Sequence, residues 1–292
     1  MKLLRILGAI GAVLFGLGAS DASADPVRLV ITDLAGLEQL QAEFGRFKEV
    51  LTEATGLEYE FYPVTSRTAA VEALNAQKVD FVLTGPAEYV VMRKRTDAQP
   101  VVGFSRPDYF SAVIVMADSG IDAVMDLKGK TIALGDIGST SNHLAPMQVM
   151  ADYGLKPAED VKVMHISANV AWEALKKGDV AAIGMNYGKF VGIRGKETEF
   201  EPGAFRVIGR GPDLPNDVLM AGTHVDPQIV EKVRGAFISH SKELVEAILV
   251  GDDNQKYLGM KFLPNITDAE YDYVRSMYTT IGQPEYAEFV SN

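Results

Sequence analysis

Apolar residues along the chain switch between two spacings, and the switches mark the elements. Val27–Asp33 ("VRLVITD") is a short apolar run of the kind a buried strand shows. Leu37, Leu40, Phe44, Phe47, Val50 and Leu51 then recur at helical spacing, and Gly56 can cap that helix. "YEFYPV" predicts a second strand, and "SRTAAVEALNAQ" a second helix with Ser66 as its N-cap. "VDFVLTG" predicts a third strand ending in a Gly-Pro turn, followed by a short helix, "AEYVVMRKR". Such alternation predicts an α/β layered lobe with a mainly parallel sheet.

After Asp108 the pattern restarts. "YFSAVIVMA" reads as a strand, "AVMDLKGK" as a short helix and turn, and "TIALGD" as a strand. "MQVMADYG" reads as a helix capped at Gly154. "VKVMHI", "VAAIGMN" and "FRVIGRG" read as strands, with the helix "ANVAWEALKKG" between the first two. This is a second α/β lobe without residue-level repetition of the first. "VLMAG", from Val218, predicts a strand returning to the first lobe. Asp226 and Pro227 then open a helix as N-cap and first residue, and the tail "DAEYDYVRSMYTTIG" is helical. The expected organisation is residues 25–113 in lobe 1, 114–215 in lobe 2 and 216–292 back in lobe 1. A cleft between two lobes crossed twice by the chain is a favoured ligand site.

The first 24 residues stand apart. Lys2 and Arg5 precede an apolar run of about 13–14 residues, Ile6 to Gly18, and Ala22-Ser23-Ala24 supplies a small-residue cleavage pattern. A spanning helix needs roughly 20 apolar residues. A signal peptide cleaved after Ala24 is therefore expected, leaving an exported chain. There is no cysteine, which removes disulfides, thiolate metal sites and a lipid anchor on a lipobox cysteine. Without Lys2, Arg5 and Asp21 the chain holds 26 basic and 38 acidic residues, a net charge of −12. That argues against nucleic acid and anionic membranes as partners. It leaves room for a small anion, because backbone N–H groups and hydroxyls hold anions without net positive charge.

The chemistry concentrates in "DIGSTSNHLAP", Asp136–Pro146. In open α/β sheets ligands sit beyond the carboxyl ends of strands, against helix N-termini. Ser139, Thr140, Ser141 and Asn142 occupy that place after "TIALGD". A helix start offers unpaired N–H groups and about half a positive charge. Serine and threonine are also common N-caps with no ligand at all, so both readings stand at this point. Pro146 lacks an N–H and crowds the carbonyl four residues back, so the first turn must be irregular or the regular helix must begin late.

"STSNHLAP" is similar to the S-T-S-G-x-L-x-P anion loop of the phosphate/phosphite/phosphonate-binding proteins of ABC importers, a branch of the type II periplasmic binding proteins. "DSGIDAVMDLKGKTIALGD" resembles that family's approach to the loop, "VDFVLTGPAEYV" its V-D-x-x-x-x-G-P-x-x-Y segment, and "LPNDVLMA" its return to the first lobe. The resemblance covers nearly all of the chain after the signal peptide, and Ser119–Pro146 is its specific part.

The resemblance implies a two-lobed α/β protein with a hinge of two crossover strands, near Ala112–Met116 and Val218–Ala221. It implies a monomer in the periplasm that closes over one small phosphorus oxyanion and serves a permease in the inner membrane. Ser139, Thr140 and Ser141 match the loop. Tyr89 matches the tyrosine after Gly-Pro, and Tyr109 an aromatic near the crossover; packing is the competing role for both. The Thr84–Tyr89 turn, with Asp33 and Leu34 at the end of the first strand, is expected on the facing wall. Arg67 is placed at the surface, with a bidentate grip on the ligand as the alternative.

Three departures bear on the ligand. Asn142 replaces the loop glycine, Ala168 and Asn169 stand where many members carry a histidine, and Asn186 stands where an acidic residue would hold an amine. An enzyme is not expected. His143 near the serines invites a Ser-His reading, but no H-E-x-x-H, G-x-S-x-G, P-loop or CxxC occurs. Asp122 and Asp126 suit a solvated helix start better than a metal, and no cofactor is implied. An exported sensor with the same fold is the second reading.

Overall fold

Two sheets organise the chain, and the central strands of each are apolar on both faces. The structure is a computed structural model describing residues 25–34 and 36–286. The signal-peptide reading of residues 1–24 lies outside the described residues. The first stretch runs β1 (Val27–Ile31), α1 (Leu37–Thr55), β2 (Tyr59–Phe61), α2 (Arg67–Asn75), β3 (Phe81–Thr84), α3 (Pro86–Thr96) and β4 (Gln99–Phe104). The second runs β5 (Ser111–Met116), β6 (Thr131–Leu134), α4 (Ala145–Asp152), α5 (Pro157–Asp160), β7 (Lys162–His165), α6 (Ala168–Lys177), β8 (Ala182–Asn186), α7 (Tyr187–Arg194) and β9 (Phe205–Arg210). The third runs β10 (Asp217–Ala221), α8 (Pro227–Ser239), α9 (Ser241–Ile248), β11 (Phe262–Leu263) and α10 (Asp272–Thr280).

The first sheet has the order β11-β4-β10-β3-β1-β2, the second β7-β6-β8-β5-β9. Both are mixed. The strands joined by helices, β1 with β2 and β3, and β6 with β7 and β8, pair in parallel. The strands beside the passages between sheets, β4, β5, β9 and β10, pair antiparallel with their neighbours. β4 and β11 carry no clear strand pattern in the sequence. "QPVVGF" is short and holds a proline, and β11 has two residues.

Helices cover both faces of each sheet at its centre, while β7 and β9 at the edges of the second sheet stay partly exposed. Leu40, Phe44, Phe47 and Leu51 of α1 pack on the first sheet with Phe237 of α8 and Leu244 of α9. On its other face Val71 and Leu74 of α2 and Val90 of α3 join Val274 and Met277 of α10. That cluster also takes in Leu144 and Ala145 from the second half, so one apolar core spans the two. In the second sheet Val149 and Met150 of α4 fill one face, and Trp172 of α6 and Phe190 of α7 the other. Burying such side chains contributes roughly 1.5–3 kcal/mol each.

The chain passes between sheets at residues 105–110 and 211–216, not within the strands expected to cross. β5 lies wholly in the second sheet and β10 wholly in the first, so a boundary at residue 113/114 would cut β5. Pro107, Pro212 and Pro215 explain the shift, because a proline has no N–H for a ladder. The two passages are tied together: Leu214 N donates to Tyr109 O at 2.7 Å, and Arg106 N to Asn216 Oδ1 at 3.0 Å.

Gly184 of β8 lets α4 lie close. A Cβ there would sit 2.5 Å from Leu134 Cδ2 and 2.5 Å from Pro146 Cβ. Gly184→Ala is expected to destabilise the fold by about 1–3 kcal/mol. A lower urea midpoint at unchanged m-value would show it. An unchanged midpoint would mean that α4 shifts freely.

Candidate functional site

The turn after β6 is wide, as the proline requires. Residues Thr140–Leu144 form a π-type turn in which Leu144 N donates to Ser139 O at 3.0 Å, and regular helix follows from Ala145. Pro146 leaves the carbonyl of Asn142 without its helical donor, and Gly135 N takes it instead at 2.8 Å. Ser111 Oγ donates to Ser141 O at 2.6 Å and fixes the turn to β5.

Asn142 does not present its amide to the cleft as an extra donor. Its Oδ1 accepts from Asn186 N at 3.0 Å, and its Nδ2 donates to Ser139 Oγ at 3.2 Å. Ser139 therefore accepts from within the protein and keeps its own O–H to give. Thr140 Oγ1 accepts the N–H of Ala87, in the first turn of α3, at 2.9 Å, a bond joining the two halves at the cleft floor. Ser139, Thr140 and Ser141 are each at least nine-tenths buried, yet all three line the cleft.

His143 supports this turn from behind. Its Nδ1 accepts from Gly138 N at 3.1 Å, and its ring meets His165 edge-on at 4.8 Å. His165 donates its Nδ1–H to Gly135 O at 2.7 Å. Burial, with His165 as the second cause, pushes His143 from its ordinary 6.5 down to about 4. A neutral ring accepting a backbone N–H has no free lone pair at Nδ1 for a serine, which disfavours the Ser-His reading.

The facing wall is charged and paired. Arg67, the first residue of α2, lines the cleft rather than the outer surface. Its Nη1 lies 3.1 Å from Asp33 Oδ1 and also contacts Glu88 Oε1. Lys256 Nζ holds the other oxygen of Asp33 at 2.6 Å. The Lys256 ammonium, followed by the Arg67 guanidinium, holds the Asp33 carboxyl well below the usual carboxylate range against the effect of burial. Glu88 is 4% exposed, and burial pushes its carboxyl up. Arg106 Nη1 lies 3.4 Å from Asp217 Oδ1, while Tyr257 donates to Asp217 Oδ2 at 2.6 Å. The Arg106 guanidinium also covers the Tyr109 ring at 3.6 Å. Burial pushes the Tyr109 phenol up to about 12 despite that cation, so the group stays a neutral donor.

These walls enclose about 710 Å³. Of the residues expected to form the site, Asp33, Leu34, Tyr109, Ser139, Thr140, Ser141, Asn142 and Asn186 line this one cleft. Thr84 lies just beneath, its Oγ1 bonded to Thr32 Oγ1 at 3.1 Å, beside a small void shared with Asp33 and Lys256. Tyr89 is elsewhere. It is 0% exposed, tilted against Tyr271 at 3.9 Å, and donates to Asp268 Oδ1 at 2.8 Å. Three residues into α3, it falls on the face packed against the C-terminal segment, so packing is its role. Arg106, Lys189, Asp217 and Lys256 also line the cleft and were not foreseen. Single charged residues carry no periodic signal whether they fall in a passage, as Arg106 does, or in an element, as Lys189 of α7 and Asp217 of β10 do, and only Asp217 lay in a quoted motif.

The family model described as "ABC transporter, phosphonate, periplasmic substrate-binding protein" matches residues 36–260. The chain belongs to this family. Among solved structures, the family chain is similar to a binding-protein component of an ABC phosphonate transporter from Pseudomonas aeruginosa, at TM-score 0.65 and 19% identity over 86% of this chain and 85% of that one. PhnD1 from Prochlorococcus marinus, in complex with methylphosphonate, matches at TM-score 0.65 and 15% identity, over 88% and 98%. Both likenesses establish the type II periplasmic binding fold. A 97-residue stretch is 30% identical to the tetrathionate sensor histidine kinase TtrS of Salmonella typhimurium, covering 30% of this chain and 16% of that protein.

The buried neutral His143 sets a pH dependence. Its folded value is depressed, so its contribution is complete above about pH 6.5 and is lost as pH falls toward 4. His143→Asn keeps an acceptor for Gly138 N–H but does not titrate. Urea melts at pH 7, 5.5 and 4 are expected to show the wild type losing stability faster than the variant. Parallel losses would contradict a buried neutral ring.

Proposed function

We propose that this family member captures a small phosphorus oxyanion, phosphite, phosphate or an alkyl phosphonate, in the cleft and delivers it as a monomer to an inner-membrane ABC permease. The observation carrying this reading is the Ser139–Ser141 turn. Its hydroxyls and the first N–H groups of the helix face Arg67, Arg106 and Tyr109 across the cleft. Arg67 engages both carboxylates through Nη1 alone, which leaves its Nε and Nη2 donors for a ligand. A buried donor left unpaired costs roughly 1–3 kcal/mol, so a ligand with one oxygen too few is disfavoured. Residues 105–110 and 211–216 supply the bending segments, and closure presents the permease with a changed surface.

A sensor role is the second reading. The stretch similar to TtrS favours it, and there the same cleft would report another small anion to a membrane receptor.

Calorimetric titration of residues 25–292, freed of ligand, with phosphate, phosphite, methylphosphonate and aminoethylphosphonate separates the readings. One of the four is expected to bind tightly. Ser139→Ala, which removes a donor to a charged ligand, is expected to weaken that binding roughly ten- to a hundredfold. Unchanged affinity would reduce the turn to a helix cap, and no binding to any of the four would favour another anion and the sensor.

A further inference from the structure

The cleft forks. Behind Ser139 and Asn142 a second compartment of about 200 Å³ opens, sharing Arg67, Ser139, Asn142 and Lys189 with the main cleft. Its walls are mixed: Leu134, Ile166, Ala168, Ala171 and Met185 form an apolar side, and Asp136 and Ser167 join the shared residues on the polar side. About 10–15 Å³ suffices for one water, so the compartment holds several non-hydrogen atoms beyond an oxyanion head. Phosphite and phosphate have nothing to place there.

Charge narrows the chemistry of what enters. Arg67, Arg106 and Lys256 each have a carboxylate within 4 Å. Lys189, in α7, has none among the described residues, and it lines both branches of the fork. Arg67, already balanced by Asp33 and Glu88, adds donors but no uncompensated charge. The single carboxylate lining the compartment is Asp136, which is exposed and also without an ion-pair partner. An apolar tail would therefore leave Lys189 without an ion partner, and an ammonium would meet Lys189 with only the exposed Asp136 to offset the repulsion.

We infer that the preferred ligand is a phosphonate with a short alkyl spacer ending in a second anionic group, and that the Lys189 branch is the subsite for that end. This rests on the phosphorus-oxyanion reading above. The head stays on the Ser139–Ser141 turn, the spacer runs along Ala168 and Met185, and the terminal carboxylate pairs with Lys189.

The test is titration with methylphosphonate, propylphosphonate, 3-aminopropylphosphonate and 3-phosphonopropionate. 3-Phosphonopropionate is expected to bind roughly tenfold or more tightly than propylphosphonate, as a charge-assisted contact implies. In Lys189→Met that ratio is expected to fall toward one. Ala168→Met, which narrows the compartment, is expected to weaken all three of the three-carbon ligands relative to methylphosphonate. If methylphosphonate binds and the carboxylate adds nothing, the subsite is overturned while the oxyanion reading survives. A carboxylate preference that Lys189→Met leaves intact, or tightest binding of the amine, overturns it equally. If none of the four binds, the phosphonate subsite is overturned, and titration with phosphite and phosphate decides separately whether the oxyanion reading survives.

Discussion

The missing N–H of Pro146 is the constraint around which the cleft is built. It frees the carbonyl of Asn142, and Gly135 N claims it at 2.8 Å. The turn widens by one residue, with Leu144 N reaching back to Ser139 O. A regular α-helix beginning at Ser139 would have left a buried carbonyl without a donor, at a cost of roughly 1–3 kcal/mol. The wide turn avoids that and leaves Ser139, Thr140 and Ser141 in succession along the cleft. Gly135 and Gly184 then permit the fit, since a Cβ at either would strike Asn142, Leu134 or Pro146. The loop is rigid because each member is held by something other than a ligand.

The same economy governs polarity. Asn142 uses both ends of its amide within the protein, and in accepting from Asn142 Ser139 is oriented to donate. Across the cleft Arg67, Arg106 and Lys256 are balanced by Asp33, Glu88 and Asp217. Cations buried without partners would carry a heavy desolvation penalty. The carboxylates hold them in place and leave part of each donor set available. A wall balanced in this way is stable by itself and, under the proposed function, keeps donors for an anion.

Much of this was legible in the residues, and the limits have physical causes. Helical spacing in "LEQLQAEFGRFKEVLTEATG" and Ser66 before α2 gave the right elements, because amphipathic periodicity and caps are local signals. The serine turn was legible as well, including its irregular start, because proline acts on its own neighbourhood. Tyr89 was misplaced because position in a motif does not say which face of α3 meets the C-terminal helix. Arg67 was read as surface because its partners, Asp33 and Glu88, come from different elements and meet only when the sheet forms. Lys189, Arg106 and Lys256 lie in segments whose course is set by tertiary packing, where a charged residue reads as ordinary solvent exposure.

An acidic chain of net charge −11 repels anions at long range, and the proposed function is reconciled with that charge by scale. Exposed charges act weakly beyond the Debye length, about 8 Å at physiological ionic strength. Inside the cleft the local donors are nearer than that and partly shielded from salt. Net charge therefore affects how often an anion arrives more than how firmly it is held. Holding depends on donors fixed before the ligand comes. The Thr140–Ala87 hydrogen bond matters here, because it joins the donor turn of one half to the first turn of α3 in the other. A ligand seated on Ser139 and Ser141 rests beside a contact that already couples the halves. Under the proposed function, binding at the turn would be linked to the angle between the sheets through neighbouring backbone atoms, with no need for a long chain of displaced side chains.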